Sequence, residues 1–287
     1  MNFDGIIGVA KRMGPKRMVV VGESTSPFLS PVFDAYNSSL IDPVFIGKGS
    51  FDLDYKKFEC IQEPDMEKAR IKGLNMVKDG EAQIFIELDL MGPGLFAMLN
   101  EKKSGIKKGR ILSYISIFES LKDGRLTMMT DTYINDYPDI KDKVDIVENA
   151  IDVANIIDIS PPKIAALAAL ELVNPALIST IDAAVLSKMS ERGQFGAAIV
   201  EGPLAMDNAE SASAARHKGI NSPVPGDVDI YLFPDIESAY LTSQFLFILG
   251  NVRHAGILGG VNIPIVTLTP LDTKSSCLFN IALAVLQ

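Results

Sequence analysis

Several apolar runs in this chain end directly on a polar side chain. Asp131 follows LTMMT, Glu201 closes AAIVE, Asp235 follows YLFP, and Thr269 with Asp272 follows IPIVTL. In open parallel α/β sheets, ligands bind outside the carboxyl ends of the strands, so these positions are where reacting groups are expected. A carboxylate there can act as a base, bind a metal, or cap the following helix. Capping is the commoner use of any single one; their recurrence favours a site without naming its chemistry. His217, in ARHKG, ends a helical stretch beside Arg216 and Lys218. It reads as a complement to a helix dipole or as part of a cationic patch for phosphate. His254, beside Arg253, reads as a surface residue.

The motifs of several large enzyme classes are missing. There is no G-x-G-x-x-G, no Walker loop and no G-x-S-x-G elbow. GILGG at 256–260 reads as close packing and a turn. Cys60 and Cys277 are too few for a disulfide scaffold and neither lies in a CxxC, so both are read as reduced thiols in an intracellular protein. With His217 and His254 the only histidines, no His-rich metal site is expected.

The elements that must carry these residues alternate. Strands are expected at 17–22, 42–47, 58–62, 82–88, 111–119, 126–130, 163–170, 197–201, 229–233 and 263–268. Helices are expected at 1–13, 31–38, 66–79, 95–100, 141–157, 179–192, 207–218, 237–249 and 275–285. Residues 101–110 read as a basic, Gly-punctuated loop. Strands alternating with helices mean βαβ units and a mostly parallel sheet. Residues 136–139 and 250–260 are the expected inter-domain crossings.

The chain has 287 residues, 47% hydrophobic and 22% charged, enough for one or two cores. Its net charge of −9 argues against non-specific nucleic-acid binding. It leaves room for a local basic pocket that takes a small anion. Residues 1–17 lack an apolar core with a small-residue cleavage site, and no apolar stretch reaches about 18 residues, so neither a secretory signal nor a membrane span is expected.

From Asp131 onward, a series of ordered motifs carries a resemblance. These are KVDIVENA at 143–150, ALAALELVNP at 166–175, DAAVLSKMSERGQ at 182–194, EGPLAMDNA at 201–209, HKGI from His217 and GDVDIYLFPDIE at 226–237. Together they resemble the phosphate acetyl/butyryltransferase family, and within it the butyryltransferase branch. The first 125 residues match more loosely, mainly at KGRILS, 108–113. The resemblance implies two α/β domains of the isocitrate/isopropylmalate dehydrogenase-like fold, with mostly parallel sheets and an inter-domain cleft. One domain would be discontinuous, residues 1–135 plus 256–287, and the other would span 136–255. It implies a cytoplasmic homodimer with no metal and no cofactor besides CoA, which is substrate or product.

The reaction implied is acyl-CoA plus phosphate giving acyl phosphate plus CoA, with a short acyl chain such as butyryl or acetyl. Phosphate must be oriented against the thioester carbonyl. Its charge needs Arg, Lys or N–H donors, and the tetrahedral oxyanion needs a donor. In the direction that makes acyl-CoA, a carboxylate can take the thiol proton. The family's last strand runs into S-R-x-D, with Ser donating to the reacting centre, Arg holding phosphate and Asp as base. Here those positions are Thr269, Pro270, Leu271 and Asp272. Pro270 carries neither guanidinium nor N–H. Asp272, Thr269 and Ser113 are therefore the expected catalytic residues. Arg110, Lys188, Asp207, Asn208, Lys218, Asp235 and Tyr240 are the expected substrate-binding set. Other departures are Tyr240 in ESAY for the family's E-A-G-N, Glu87 in IEL for M-K-G, and Tyr114 after Ser113 for S-H. An alternative reading is a relative that binds CoA, an acyl phosphate or a partner without turnover. A decarboxylating dehydrogenase is disfavoured, because no paired-Asp metal motif is visible.

Overall fold

Val19, Val20 and Val21 follow Met18 without a polar interruption, and none of the four exposes any surface. Such a run suits a strand covered on both faces, as in a parallel sheet flanked by helices. The computed structural model describes residues 1–52, 57–101 and 105–287. The expected loop at 101–110 therefore lies partly outside the described residues. The chain forms two compact units, one of Met1–Leu112 with Arg253–Gln287, the other of Ser113–Val252.

In the first unit, β1 (Lys16–Glu23), β2 (Ile41–Lys48), β3 (Cys60–Gln62), β4 (Ile84–Leu90) and β11 (Ile265–Leu268) form a sheet in the order β11-β4-β1-β2-β3. Every pairing in it is parallel. The C-terminal ends of β1 and β2 meet at Gly22 and Gly47. A Cβ on Gly47 would fall 1.8 Å from the Gly22 carbonyl oxygen, so the approach of these two backbones depends on glycine. Helix α3 (Met66–Lys78) packs on β1, β2 and β4, while α10 (Lys274–Val285) packs with α1 (Phe3–Met13) and α2 (Leu29–Asn37). Phe3 and Phe279 stack at 4.5 Å and tie α1 to α10. Asp65 caps α3 by accepting from the N–H groups of Glu67 and Lys68. After β4 comes α4 (Pro93–Asn100).

In the second unit, β5 (Ser113–Glu119), β6 (Leu126–Thr130), β7 (Lys163–Leu167), β8 (Ile199–Leu204) and β9 (Ile230–Leu232) lie in the order β5-β6-β9-β7-β8. The β5–β6 hairpin is antiparallel and the other pairings are parallel. Helices α5 (Ile140–Ile156), α6 (Ile178–Glu191), α7 (Met206–Glu210), α8 (Ala212–His217) and α9 (Ile236–Gln244) connect or cover these strands. The α/β class and mostly parallel sheets are as the alternation requires.

Three expectations change. The helix expected at 207–218 is two short helices, because Ser211 is extended and caps α8 through its side chain. Residues 254–259 are a strand, β10 (His254–Gly259), fully buried and packed on α10. Its small, apolar GILG sequence suits a crowded buried strand as well as it suits a turn. The first crossing between units lies at Leu112 and Ser113 rather than at 135 and 136, since β5 and β6 join the second unit's sheet.

Candidate active site

Strand β11 delivers its last buried residue, Leu268, to a tight turn. The Asp272 N–H donates to the Thr269 carbonyl at 3.0 Å, closing a four-residue turn with Pro270 at its second position, where a fixed φ is favourable. The Asp272 carboxylate folds back over the turn. Its Oδ2 accepts from the Thr269 N–H at 2.7 Å and from the Thr269 hydroxyl at 2.9 Å. Its Oδ1 accepts from Asn280 Nδ2 at 3.0 Å. The Thr269 hydroxyl oxygen also takes the Leu271 N–H at 3.3 Å. Burial pushes the Asp272 carboxyl up from its ordinary value, and these donors and the His254 ring pull against that.

Thr269, Pro270 and Asp272 line a pocket of about 600 Å³ with Glu23, Ser26 and Asp89, at the carboxyl ends of β1, β4 and β11. This is where a parallel sheet places its ligands. Among the described residues, the lining side chains include Glu23, Asp89 and Asp272 but no Lys or Arg. The position where Glu87 replaces a family cation is also resolved. Glu87 is buried and pairs with Arg70 of α3, whose Nε and Nη2 both donate to Oε1, at 2.8 and 2.5 Å. Its other oxygen has no hydrogen-bond partner among the described residues. Burial raises the Glu87 carboxyl, and Arg70 opposes the rise. A cation from a neighbouring helix thus pairs with the Glu87 carboxylate.

The remaining expected residues sit in different surroundings. Arg110 is half-buried in the bend before β5. Ser113, of the second unit, has no exposed surface, and its hydroxyl accepts from Asn149 Nδ2 at 3.0 Å. Its hydroxyl is engaged by Asn149 rather than by solvent. Lys188 is an exposed α6 residue paired with Glu191 one turn on. Lys218 lies between Asp207, at 3.0 Å, and Glu171, at 3.1 Å. Its ammonium lowers the Asp207 carboxyl. Asn208 is buried and its amide reaches Glu171 at 3.4 Å. Asp235 is the N-cap of α9, accepting from the Ser238 N–H at 2.8 Å. Tyr240 is half-buried, 5.9 Å from the Tyr133 ring. Asp131 accepts from the N–H groups of Tyr114, Tyr133, Ile134 and Asn135, so it organises a turn.

Sequence reasoning missed four participants: Arg70, Glu171, Asn280 and His254. His254, expected at the surface, is buried at the start of β10 with its Nε2 2.9 Å from the Leu271 carbonyl. An apolar run directly after it was the available signal.

The model of the phosphate acetyl/butaryl transferase family matches residues 56–285. The chain belongs to this family. It is 36% identical to a phosphate butyryltransferase of Clostridium acetobutylicum, over 99% of this chain and 97% of that one. It is 31% identical to a phosphate acetyltransferase of Rhizobium meliloti, over 99% and 93%. Among solved structures, a branched-chain phosphotransacylase from Enterococcus faecalis superposes with a TM-score of 0.82 at 26% identity, covering 93% of this chain and 97% of that one. For a member of the phosphate acetyl/butaryl transferase family, the feature to explain is a pocket that keeps the acid and a hydroxyl but has Pro270 between them.

Proposed function

We propose that this chain transfers a short acyl group between CoA and inorganic phosphate: acyl-CoA plus phosphate to acyl phosphate plus CoA. The Thr269–Asp272 pair carries the reading, because it lies in a pocket at the strand ends with its carboxylate desolvated and oriented. In the direction that forms acyl-CoA, Asp272 takes the thiol proton of CoA. The thiolate sulfur attacks the acyl phosphate carbonyl, the C–S bond forms, and the C–O bond to phosphate breaks. In the other direction a phosphate oxygen attacks the thioester, the thiolate departs, and protonated Asp272 returns the proton to it. Thr269 serves Asp272 first, because its hydroxyl already donates to Oδ2.

Arg110 is the cation we assign to substrate phosphate, since the pocket lining offers none among the described residues. Asp207, Asn208 and Lys218 are the polar cluster we assign to substrate binding in the second unit; Tyr240, beside Tyr133, is assigned to substrate binding as well. Lys188 and Asp235 are committed to an ion pair and a helix cap, and take secondary places. The two-domain arrangement of the isocitrate dehydrogenase-like fold is part of the same reading, as is a cytoplasmic location. No helix among the described residues is long and apolar enough to cross a membrane. A homodimer is supported by an exposed apolar strip, Leu241, Phe245, Ile248 and Leu249, that water would otherwise meet. The alternative of binding without turnover draws no support from the comparisons.

The test is CoA release from acetyl- to valeryl-CoA, with and without phosphate. Phosphate-dependent turnover on short chains is expected. Absence of turnover on every chain length defeats the assignment.

A further inference from the structure

The turn that holds Asp272 is not self-supporting. His254 opens β10 and is buried. Its Nε2 lies 2.9 Å from the Leu271 carbonyl oxygen and 3.1 Å from Ser276 Oγ. A carbonyl oxygen only accepts, so this contact needs a proton on Nε2. Ser276 is the third residue of the α10 capping box, and its hydroxyl oxygen accepts from the Thr273 N–H at 3.1 Å. One imidazole N–H therefore reaches the residue before Asp272 and, through the cap, the residue after it. A second tie leaves the same strand two residues on. The Gly256 N–H donates to Asn280 Oδ1 at 2.8 Å, which orients that amide so that its Nδ2 donates to Asp272 Oδ1. Backbone and carboxylate are both braced from β10.

We infer that His254 is a positioning residue for the acyl transfer proposed above: its Nε2–H holds the Leu271 carbonyl and the α10 cap so that the Asp272 carboxylate keeps its orientation. The inference rests on that functional reading for its kinetic meaning, but the hydrogen-bond arrangement is testable without turnover. A buried histidine that only fills space would have no need to direct a donor at both flanks of one carboxylate. The geometry also assigns a division of labour. Thr269 and Asn280 orient the carboxylate directly, while His254 acts through backbone and cap. Misplacing a reacting group by about 1 Å can cost on the order of 100-fold in rate, so a brace of this kind has room to show in kcat.

The experiment uses the whole protein. Because His217 and His254 are its only histidines, a spectrum of protein carrying 15N-labelled histidine contains two rings. The His254 ring is expected to carry a proton on Nε2 and is identified by its loss in His254→Gln. An Nδ1–H neutral ring there overturns the inference, whatever the activity. The kinetic arm compares His254→Leu, His254→Gln and His254→Asn. Gln places an amide N–H near the position of Nε2; Asn stops short of it. With His254→Leu we expect kcat to fall by about 10- to 100-fold with KM for acyl-CoA nearly unchanged, and with His254→Gln most of it to return. Should His254→Leu fail to fold, the Gln and Asn variants carry the comparison, Gln active and Asn impaired. Equal kcat for Gln and Asn, or a loss confined to thermal stability, overturns the positioning role. If the wild-type protein shows no phosphate-dependent turnover, the functional reading fails while the ring spectrum still decides the brace.

Discussion

The two polar clusters at strand ends differ in almost every physical respect. In the first unit, Asp272 is drawn into a desolvated turn and satisfied by neutral donors, two from Thr269 and one from Asn280. In the second, Lys218 stands partly exposed between Glu171 and Asp207, a charge network that solvent screens. Desolvation makes a carboxylate reactive toward protons, whereas exposure makes a cation cheap to redirect toward another anion. The first cluster suits proton transfer and the second suits adjustable binding. Among the described residues, the pocket around Asp272 has acids and no cation in its lining, so the proposed phosphate binding needs a charge from outside them.

The sharpest way to break the comparison is to remove the acid and keep its shape. Asp272→Asn retains an oxygen for Thr269 but no base. We expect kcat to fall by about 10²- to 10⁴-fold, the usual contribution of a general base, with KM changing far less. Unchanged kcat would return Asp272 to the role of a turn-former. The same variant alters stability in a predictable direction. Burial raises the Asp272 carboxyl in the folded protein, so the folded state binds more protons than the unfolded one between the ordinary and the raised value. That contribution is fully present below the ordinary value and is lost as pH rises through the folded one. Urea midpoints of the wild type should therefore decline over that window, and those of Asp272→Asn should decline less.

Next in size is the Arg70–Glu87 pair, which tests whether the first unit tolerates charge without a partner. Glu87 is almost wholly buried, and removing Arg70 strands it. Breaking a buried pair costs about 3 to 5 kcal/mol when the remaining group stays charged. Glu87 has an escape, because its carboxyl is already raised and can take a proton instead. Arg70→Leu is expected to lower stability by about 3 kcal/mol at neutral pH and by less in acid. The double variant with Glu87→Leu should recover most of the loss. Urea denaturation of both proteins at two pH values decides it, and equal stability of the two would show that the pair is not coupled.

The two regions were also unequally legible. Alternating apolar and helical runs indicated a mostly parallel α/β protein, because buried strands cannot hide their composition. The Thr269–Asp272 turn stood out for the same reason: polar residues after β11 have nowhere to go but the strand end. The brace behind the turn was not legible. His254 and Asn280 lie in elements separated by more than a helix length of sequence, and their convergence is a tertiary fact. Glycine-rich β10 hid itself, since small residues serve a crowded strand and a turn alike. Arg70 carried no local signal, because only pairing with Glu87 distinguishes it from any helix cation. Asp131 and Asp235 hold backbone N–H groups, the capping use that the sequence reading puts first for any single strand-end acid.

The smallest expected effect belongs to the second cluster, and it separates binding from architecture. Lys218 is bound to Asp207 and Glu171 from a partly exposed position, where ion pairs contribute little to stability because water and salt screen them. Lys218→Ala should therefore leave the melting temperature nearly unchanged. It should raise KM for acyl-CoA a few-fold with kcat preserved, the signature of lost uniform binding. Added salt should weaken wild-type binding toward the level of the variant, because the contact is a screened charge. A fall in kcat instead would move Lys218 from binding into the chemistry and erase the difference between the two clusters. An unchanged KM would leave its ammonium as a tie between the loop after β7 and helix α7, with Arg110 the cation still to be tested.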